Sequence, residues 1–122
     1  MPDIERAIQF YVDGLNFRVE KRLSPSVVEL SGASVPLHIL EKDPKTVAVL
    51  GSSMTRSYER HWTPVHFDLV IEDIDQAVTQ SQQAGAILEG SIHQRSWGRI
   101  AFMADPFGHG FCLIQFLGHG YQ

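Results

Sequence analysis

The hydrophobic and polar positions of this chain follow one helical pattern twice. Apolar or small side chains recur at the three- and four-residue spacing of a single helix face in two places, Ile4, Ala7, Ile8 and Tyr11, then Ile74, Ala77, Val78 and Ser81. An aspartate precedes each run as an N-cap, at Asp3 and, seventy positions later, at Asp73. Gly14 and Gly85 are the predicted helix stops. The pattern therefore predicts two equivalent amphipathic helices.

Each predicted helix is followed by one strand-like run and one hairpin. The strand-like runs and hairpin arms are residues 17–23, 27–30 and 35–40 in the first half and 87–92, 99–104 and 111–116 in the second. Asp105-Pro106-Phe107-Gly108 has the composition of a tight turn between the last two arms. The repeated order of helix, strand and hairpin predicts a duplicated α+β unit.

The two halves differ in what precedes the helix. Pro64 to Ile71 alternates as a strand, with His66, Asp68 and Val70 on one face, whereas only Met1-Pro2 precedes the first helix. We therefore predict two βαβββ modules in a single domain, the first lacking its opening strand. The predicted bounds are module one 1–41, a connector 42–61, module two 62–117 and a tail 118–122. An uncovered sheet edge favours association, so we expect a homodimer.

Composition narrows the classes of partner and compartment. The chain has 122 residues and a formal net charge of −4, so it has no general attraction to nucleic acid or to an anionic membrane surface. No apolar run approaches the ~20 residues of a membrane span. The single cysteine, Cys112, cannot form an internal disulfide, which suits a reducing compartment. We expect a cytoplasmic protein.

Two motifs, in order, resemble a known superfamily. Asp3-Ile4-Glu5-Arg6-Ala7 leads to Phe10-Tyr11 and Leu15-Asn16-Phe17; later come Trp97-Gly98-Arg99 and Asp105-Pro106-Phe107-Gly108-His109. Over nearly its whole length the chain resembles the vicinal oxygen chelate superfamily, which includes glyoxalases, bleomycin-resistance proteins and extradiol dioxygenases. Asn16 stands where that superfamily more often has glycine, a departure that concerns a turn rather than the site.

The resemblance implies a cupped mixed sheet around a crevice, with metal ligands on the opening and closing strands. Matched strand by strand, those positions are His38, His66 and Cys112; the opening position of the first module has no counterpart. A thiol replaces the usual glutamate at Cys112, which argues against glyoxalase and extradiol-dioxygenase chemistry. Two imidazoles and a thiolate suit zinc with one open position. Nickel, iron and manganese are the other divalent candidates.

Each candidate residue also has a purely structural interpretation. Cys112 is flanked by Phe111 and Leu113 and has the character of a core residue, and His38 fits a hydrogen-bonded histidine on a half-buried strand. Trp97 could stack on a flat ligand or cover the core, and Arg99 could bind an anion or remain solvated. Three other candidates fit the site less well. Glu41 is three residues past His38, so on a strand it points to the opposite face. His109 belongs to a turn and His119 to the tail.

Two functional hypotheses follow. The first is a bleomycin-resistance-type protein that binds a small aromatic or anionic ligand in a dimer crevice without metal, using His66, Trp97, Arg99 and Cys112. The second is a metal-dependent lyase, isomerase or dioxygenase that uses His38 and His66 with Cys112 or water. We predict the first, with no cofactor. Whether the protein has catalytic turnover stays open.

Overall fold

The computed structural model describes residues 1–48, 50–60 and 66–120. The described elements are α1 (Ile4–Leu15), β1 (Arg18–Ser24), β2 (Val27–Ser31), β3 (Leu37–Leu40), β4 (Phe67–Val70), α2 (Ile74–Gln83), β5 (Ile87–Leu88), β6 (His93–Arg95), β7 (Gly98–Ala104) and β8 (Gly110–Phe116). This is the predicted α+β order. The first two positions of the predicted strand Pro64 to Ile71 lie outside the described residues.

Both helices begin at the predicted caps. The carboxylates of Asp3 and Asp73 accept hydrogen bonds from the backbone N–H of Arg6 (3.0 Å) and Gln76 (3.1 Å). The first helix ends later than predicted, because Asn16 takes the left-handed conformation (φ 59°) that terminates it. Asparagine tolerates this conformation better than most residues, so the expected glycine is not required.

Gly14 has a packing role instead of a capping role. The two helices lie against each other, and a Cβ built on Gly14 would come 2.9 Å from the Cβ of Ala84. The buried hydroxyl of Ser81 lies 3.2 Å from the carbonyl oxygen of Gly14, and the side-chain amide of Gln80 donates to the carbonyl of Asp13 (2.7 Å). Small side chains therefore let the two modules approach closely through their helices.

Neither described helix has the length or the apolar composition that a membrane crossing requires.

The strands form two sheets in the described ranges. One is antiparallel, in the order β1-β2-β3; the other has the order β4-β8-β7-β5, with β4 parallel to β8 and β6 paired to β7. The predicted strand 87–92 is shorter, because Gly90 has a positive φ (95°) that interrupts it before β6 begins. No described strand lies between β3 and β4.

The second sheet has two distinct faces. One packs on the helices and contributes Phe111, Leu113, Ala101 and Met103 to the hydrophobic core. The other, here called the helix-free face, carries the alternate residues Asp68, Val70, Ile100, Phe102, Cys112, Ile114 and Phe116. Their shared face follows from the register, which pairs Cys112 with both Asp68 and Phe102.

The two modules match in hydrogen bonding as well as in element order. The N–H of Ile4 donates to the Glu41 carboxylate (2.8 Å), and the N–H of Ile74 donates to the Gln115 side chain (3.0 Å). The first N–H groups of a helix have no partner within the helix. In each module, a side chain from the end of the closing strand accepts a hydrogen bond from one of them. The duplication predicted from the sequence is present in these contacts.

Candidate functional site

Three side chains with metal-ligating atoms meet on the helix-free face. One ligand atom from each of His66, Asp68 and Cys112 lies within 4.8 Å of the others. Nε2 of His66 is 3.3 Å from Oδ1 of Asp68. The imidazole and the carboxylate are about half exposed, whereas Cys112 is 1% exposed. The cluster therefore consists of two half-exposed side chains and one buried thiol.

The local fold explains this meeting. His66 and Asp68 are two residues apart at the start of β4, so strand alternation directs both side chains to one side. β4 pairs in parallel with β8, and the register places Asp68 beside Cys112. Two separate strands are thus needed to assemble the cluster.

The environment keeps the Cys112 thiol protonated. Its pKa is raised to about 12, first by burial and then by the neighbouring Asp68 carboxylate, which repels a thiolate and accepts a hydrogen bond from the thiol. At neutral pH Cys112 is therefore a neutral S–H group. It is a weak hydrogen-bond donor and a poor nucleophile.

Apolar side chains surround the cluster. On the same face, Phe102 lies directly across from Cys112 on β7, and Ile114 is the next residue along β8. The ring of Trp97, in the turn between β6 and β7, contacts Phe116 edge-on with ring centroids 6.0 Å apart. The surroundings therefore combine one small polar cluster with a mostly apolar, aromatic surface.

His38 lies on the other sheet. Its Nε2 is 2.8 Å from a carboxylate oxygen of Glu29, directly across the β2–β3 pair. Among the described residues, His38 is not in the group that brings ligand atoms within 4.8 Å. It does line a cavity of ≈ 360 Å³ together with His66. Its role as a metal ligand stays a prediction.

Arg99 lies on the helix-bearing face and is held by α2. Its guanidinium donates two hydrogen bonds to the Asp75 carboxylate, at 2.7 and 3.0 Å. These hydrogen bonds lower the pKa of the Asp75 carboxyl. An anionic ligand would have to displace this carboxylate, so the ligand-binding role of Arg99 stays a prediction without a supporting contact.

A second polar cluster lies at the turn between β7 and β8. The buried Asp105 carboxylate accepts hydrogen bonds from the Tyr11 hydroxyl (3.0 Å) and from the backbone N–H of Phe107 (2.8 Å) and His109 (2.9 Å), with Nδ1 of His109 3.1–3.2 Å away. Burial opposes ionisation of Asp105, but His109 and the two backbone donors hold the pKa of its carboxyl below the usual value. This cluster fixes the turn and joins it to α1.

The chemistry of the first cluster fits a divalent metal ion. Sulfur, imidazole nitrogen and carboxylate oxygen are all zinc ligands, with bonds of about 2.0–2.3 Å. The donor atoms, within 4.8 Å of one another, would have to approach slightly, which the half-exposed His66 and Asp68 can do. His66, Asp68 and Cys112 are therefore the residues that would hold such an ion.

Asp68 is the member of this cluster that the sequence pattern does not single out as a ligand. A signal for it exists, because strand alternation already places Asp68 on the same face as His66. What the sequence does not show is the parallel register that brings Asp68 to Cys112. The structure thus groups two predicted residues, His66 and Cys112, with one further acid.

Two similar modules, each a helix followed by a strand and a hairpin, form the mixed arrangement of the glyoxalase-type class of fold; among the described residues only the second module has its opening strand, β4. The glyoxalase-like domain family matches residues 1–114. The uncharacterized protein Mb0911c of Mycobacterium bovis is 31% identical over 93% of this chain and 76% of its own length. The chain belongs to the glyoxalase-like domain family, within the vicinal oxygen chelate superfamily.

Solved structures with low sequence identity share the fold. The fosfomycin resistance protein FosX from Listeria monocytogenes has a TM-score of 0.71 at 18% identity, covering 96% of this chain and 87% of that protein. A glyoxalase-related enzyme from Fulvimarina pelagi has a TM-score of 0.71 at 16% identity, covering 98% and 88%. These similarities establish the architecture and leave the ligand to be inferred from the site.

Proposed function

We propose that this glyoxalase-like protein binds a small aromatic molecule on the helix-free face of its second sheet, without a metal ion. The observation that carries the proposal is the polar cluster of His66, Asp68 and Cys112 within an apolar, aromatic surface. Small-molecule sites commonly combine a mostly apolar lining with a few polar groups that orient the ligand.

The protonation of the cluster indicates which ligand group it suits. The Asp68 carboxylate is a hydrogen-bond acceptor, and the buried Cys112 thiol beside it is neutral. A hydroxyl or amine on the ligand could donate to Asp68, while the aromatic body lies against the partly exposed rings of Phe102 and Phe116. The ligand class is therefore a flat aromatic molecule with at least one donor group.

We further propose that a second copy of the chain covers this face. The β1–β3 sheet of the first module exposes large apolar side chains, Val19, Leu23 and Leu40. Burial of such residues favours association in proportion to the apolar area removed from water. A homodimer that covers both helix-free faces would enclose the exposed side chains of Asp68 and Val70 in a crevice.

The binding test uses Trp97 as the reporter. In a Trp62→Phe background, Trp97 is the single remaining tryptophan. Titration with catechol or 4-hydroxybenzoate is expected to change its fluorescence, because the indole lies against Phe116 at the edge of the face. Asp68→Asn is expected to weaken binding at least about tenfold, the typical effect of altering a hydrogen bond to a charged group.

Asp13→Asn is the matched control, because Asp13 is on α1 and its substitution leaves the cluster intact. Sedimentation equilibrium on the same samples is expected to show a dimer at micromolar concentration. Equal binding by both variants would contradict the assignment of the ligand to this cluster. A stable monomer that binds the ligand normally would contradict the proposal that a second copy covers this face.

A second candidate is a metal-dependent activity of the same superfamily, favoured by the convergence of three ligand atoms. A bound divalent ion would supply Lewis-acid polarisation of a ligand oxygen. His66 and Asp68 would orient the ligand beside it, and Cys112 would have to lose its proton on binding the ion.

Metal content separates the two candidates. Mass spectrometry of protein purified without a chelator or polyhistidine tag is expected to find less than about 0.1 zinc, nickel, iron or manganese per chain if binding is metal-independent. The control is His66→Ala. Near-stoichiometric metal in the parent chain that is lost in this variant would instead favour the metal-dependent candidate.

A further inference from the structure

The helix-free face extends past β8 and β7 to the short strand β6. β6 pairs with β7, and the register sets His93 across from Ile100 and Arg95 across from Gly98. Residues directly opposite each other in an antiparallel pair point to the same side of the sheet, so His93 shares the face of Ile100. Arg95 is two residues further along β6 and therefore shares this face too.

A ring contact confirms this placement of β6. The His93 imidazole meets the Phe102 ring edge-on, with ring centroids 5.9 Å apart. Phe102 lies across from Cys112 on the helix-free face. The aromatic surface beside the cluster on β4 and β8 thus continues across β7 to β6.

The two arginines of the β6–β7 hairpin point to opposite faces. Arg99 points to the helix-bearing face, where its guanidinium is held by Asp75 of α2. Arg95 is exposed on the helix-free face, and within the part of the chain that the structure describes its guanidinium has no hydrogen bond or ion pair. Gly98 contributes no side chain between Arg95 and Phe116 in this row of the sheet. Arg95 is therefore the arginine whose charge is available to a ligand on this face.

Opposite charges thus lie at the two sides of the helix-free face. Asp68 is on β4 and Arg95 is on β6, with β8 and β7 between them. Three interstrand spacings and the offset between the two residues along β7 put their Cα atoms about 20 Å apart. The side chains and their hydrogen bonds cover part of this distance and leave roughly 5–10 Å for a ligand that contacts both charged groups.

We propose that Arg95 binds an anionic group of the ligand, at the opposite side of the helix-free face from Asp68. The inference rests on the proposed function and narrows its ligand class to a phenol or aromatic amine that carries a carboxylate on a short arm. Asp68 accepts the hydrogen bond of the donor group, and the rings of Phe102 and His93 contact the aromatic body. The planar guanidinium of Arg95 binds the carboxylate through two N–H groups. The ligand binds in one orientation, because Asp68 repels an anion and Arg95 has no acceptor atom.

Isothermal titration calorimetry with two probes of one shape tests the inference. 3-(4-hydroxyphenyl)propionate and its amide share the phenol that donates to Asp68 and differ in the charge at the other end. The parent chain is expected to bind the carboxylate at least about tenfold more tightly than the amide, the effect of a charge-assisted hydrogen-bonded pair. The formal net charge of −4 opposes this preference, so a general attraction does not explain it. Arg95→Gln is expected to reduce the affinity for the carboxylate to that for the amide.

Arg22→Gln is the matched control, because it removes the same charge from a side chain that binds Glu5 on α1. It is expected to keep the preference for the carboxylate. Equal affinities of the parent chain for the two probes, with both weakened by Asp68→Asn, would overturn the inference and leave the proposed function standing. A preference that is lost in Arg99→Gln and kept in Arg95→Gln would also overturn the inference. Absence of binding by both probes would overturn it together with the proposed function.

Discussion

Replacing Asp105 with alanine is expected to lower the free energy of unfolding by about 3–5 kcal/mol, the range for breaking a buried polar network. The carboxylate is 2% exposed and accepts hydrogen bonds from Tyr11 and from the backbone of Phe107 and His109. Alanine would leave these donors without their acceptor in a site that water enters poorly. Urea denaturation followed by circular dichroism measures the loss.

Tyr11→Phe is the matched control for this prediction, because it removes one donor and leaves the carboxylate bonded to the turn. Its expected cost is about 1 kcal/mol, a single net hydrogen bond. A cost for Asp105→Ala no larger than that of Tyr11→Phe would contradict the role given to Asp105.

The same carboxylate predicts a direction of pH dependence. The pKa of Asp105 is held below its usual value in the folded chain, so its ionised form contributes stability at neutral pH. That contribution begins to fall below the unfolded pKa of about 4 and is lost as pH passes through the lower folded value. The stabilities of the parent chain and Asp105→Asn should therefore converge in acid.

Gly98→Ala is expected to destabilise the fold by about 3 kcal/mol or more, at the upper end of overpacking effects. A Cβ at this position would overlap the carbonyl oxygen of Gln115 and lie 3.0 Å from the Cα of Phe116. Both are backbone atoms of β8, so relief requires β7 and β8 to separate. Thermal unfolding and Trp97 fluorescence measure the effect, because Trp97 packs on Phe116.

Gly90→Ala is the comparison for Gly98→Ala. Gly90 has φ 95°, and a Cβ added there would have no heavy atom within 4 Å, so alanine incurs only the backbone cost of about 1–2 kcal/mol. Similar losses for the two variants would show that backbone conformation, rather than the contact with β8, determines the effect at Gly98.

Most of the fold could be predicted because its signals are local. The caps at Asp3 and Asp73 and the helical spacing after them depend on neighbours within one turn. The turn at Asp105 to Gly108 is likewise specified by its own side chains, through the hydrogen bonds of the Asp105 carboxylate. The repeat of these signals in one order is sufficient to predict two modules.

The boundaries that differ from prediction depend on context that the local pattern does not contain. Gly14 has the composition of a helix stop, yet it lies inside α1 because α2 packs against its missing side chain. The strand 87–92 has strand composition, but the positive φ of Gly90 divides it. Each difference is decided by backbone conformation or by a distant contact.

The site is harder to predict for the same reason. Resemblance points to Cys112 and His66, but Asp68 joins them only through the parallel β4–β8 register. The sequence allows Arg99 to bind an anion and does not show that Asp75, on α2, holds its guanidinium. Contacts between elements far apart in the chain therefore decide which of these side chains is available to a ligand.

The close crossing of the two helices has a consequence for how this sequence can vary. Gly14, Ser81 and Ala84 share one small volume, in which an added methyl group at Gly14 would already touch Ala84. A larger side chain at one of these positions therefore requires a smaller side chain at another. Although they belong to separate modules, these residues are expected to change in compensating pairs, so neither module can vary at this crossing without the other.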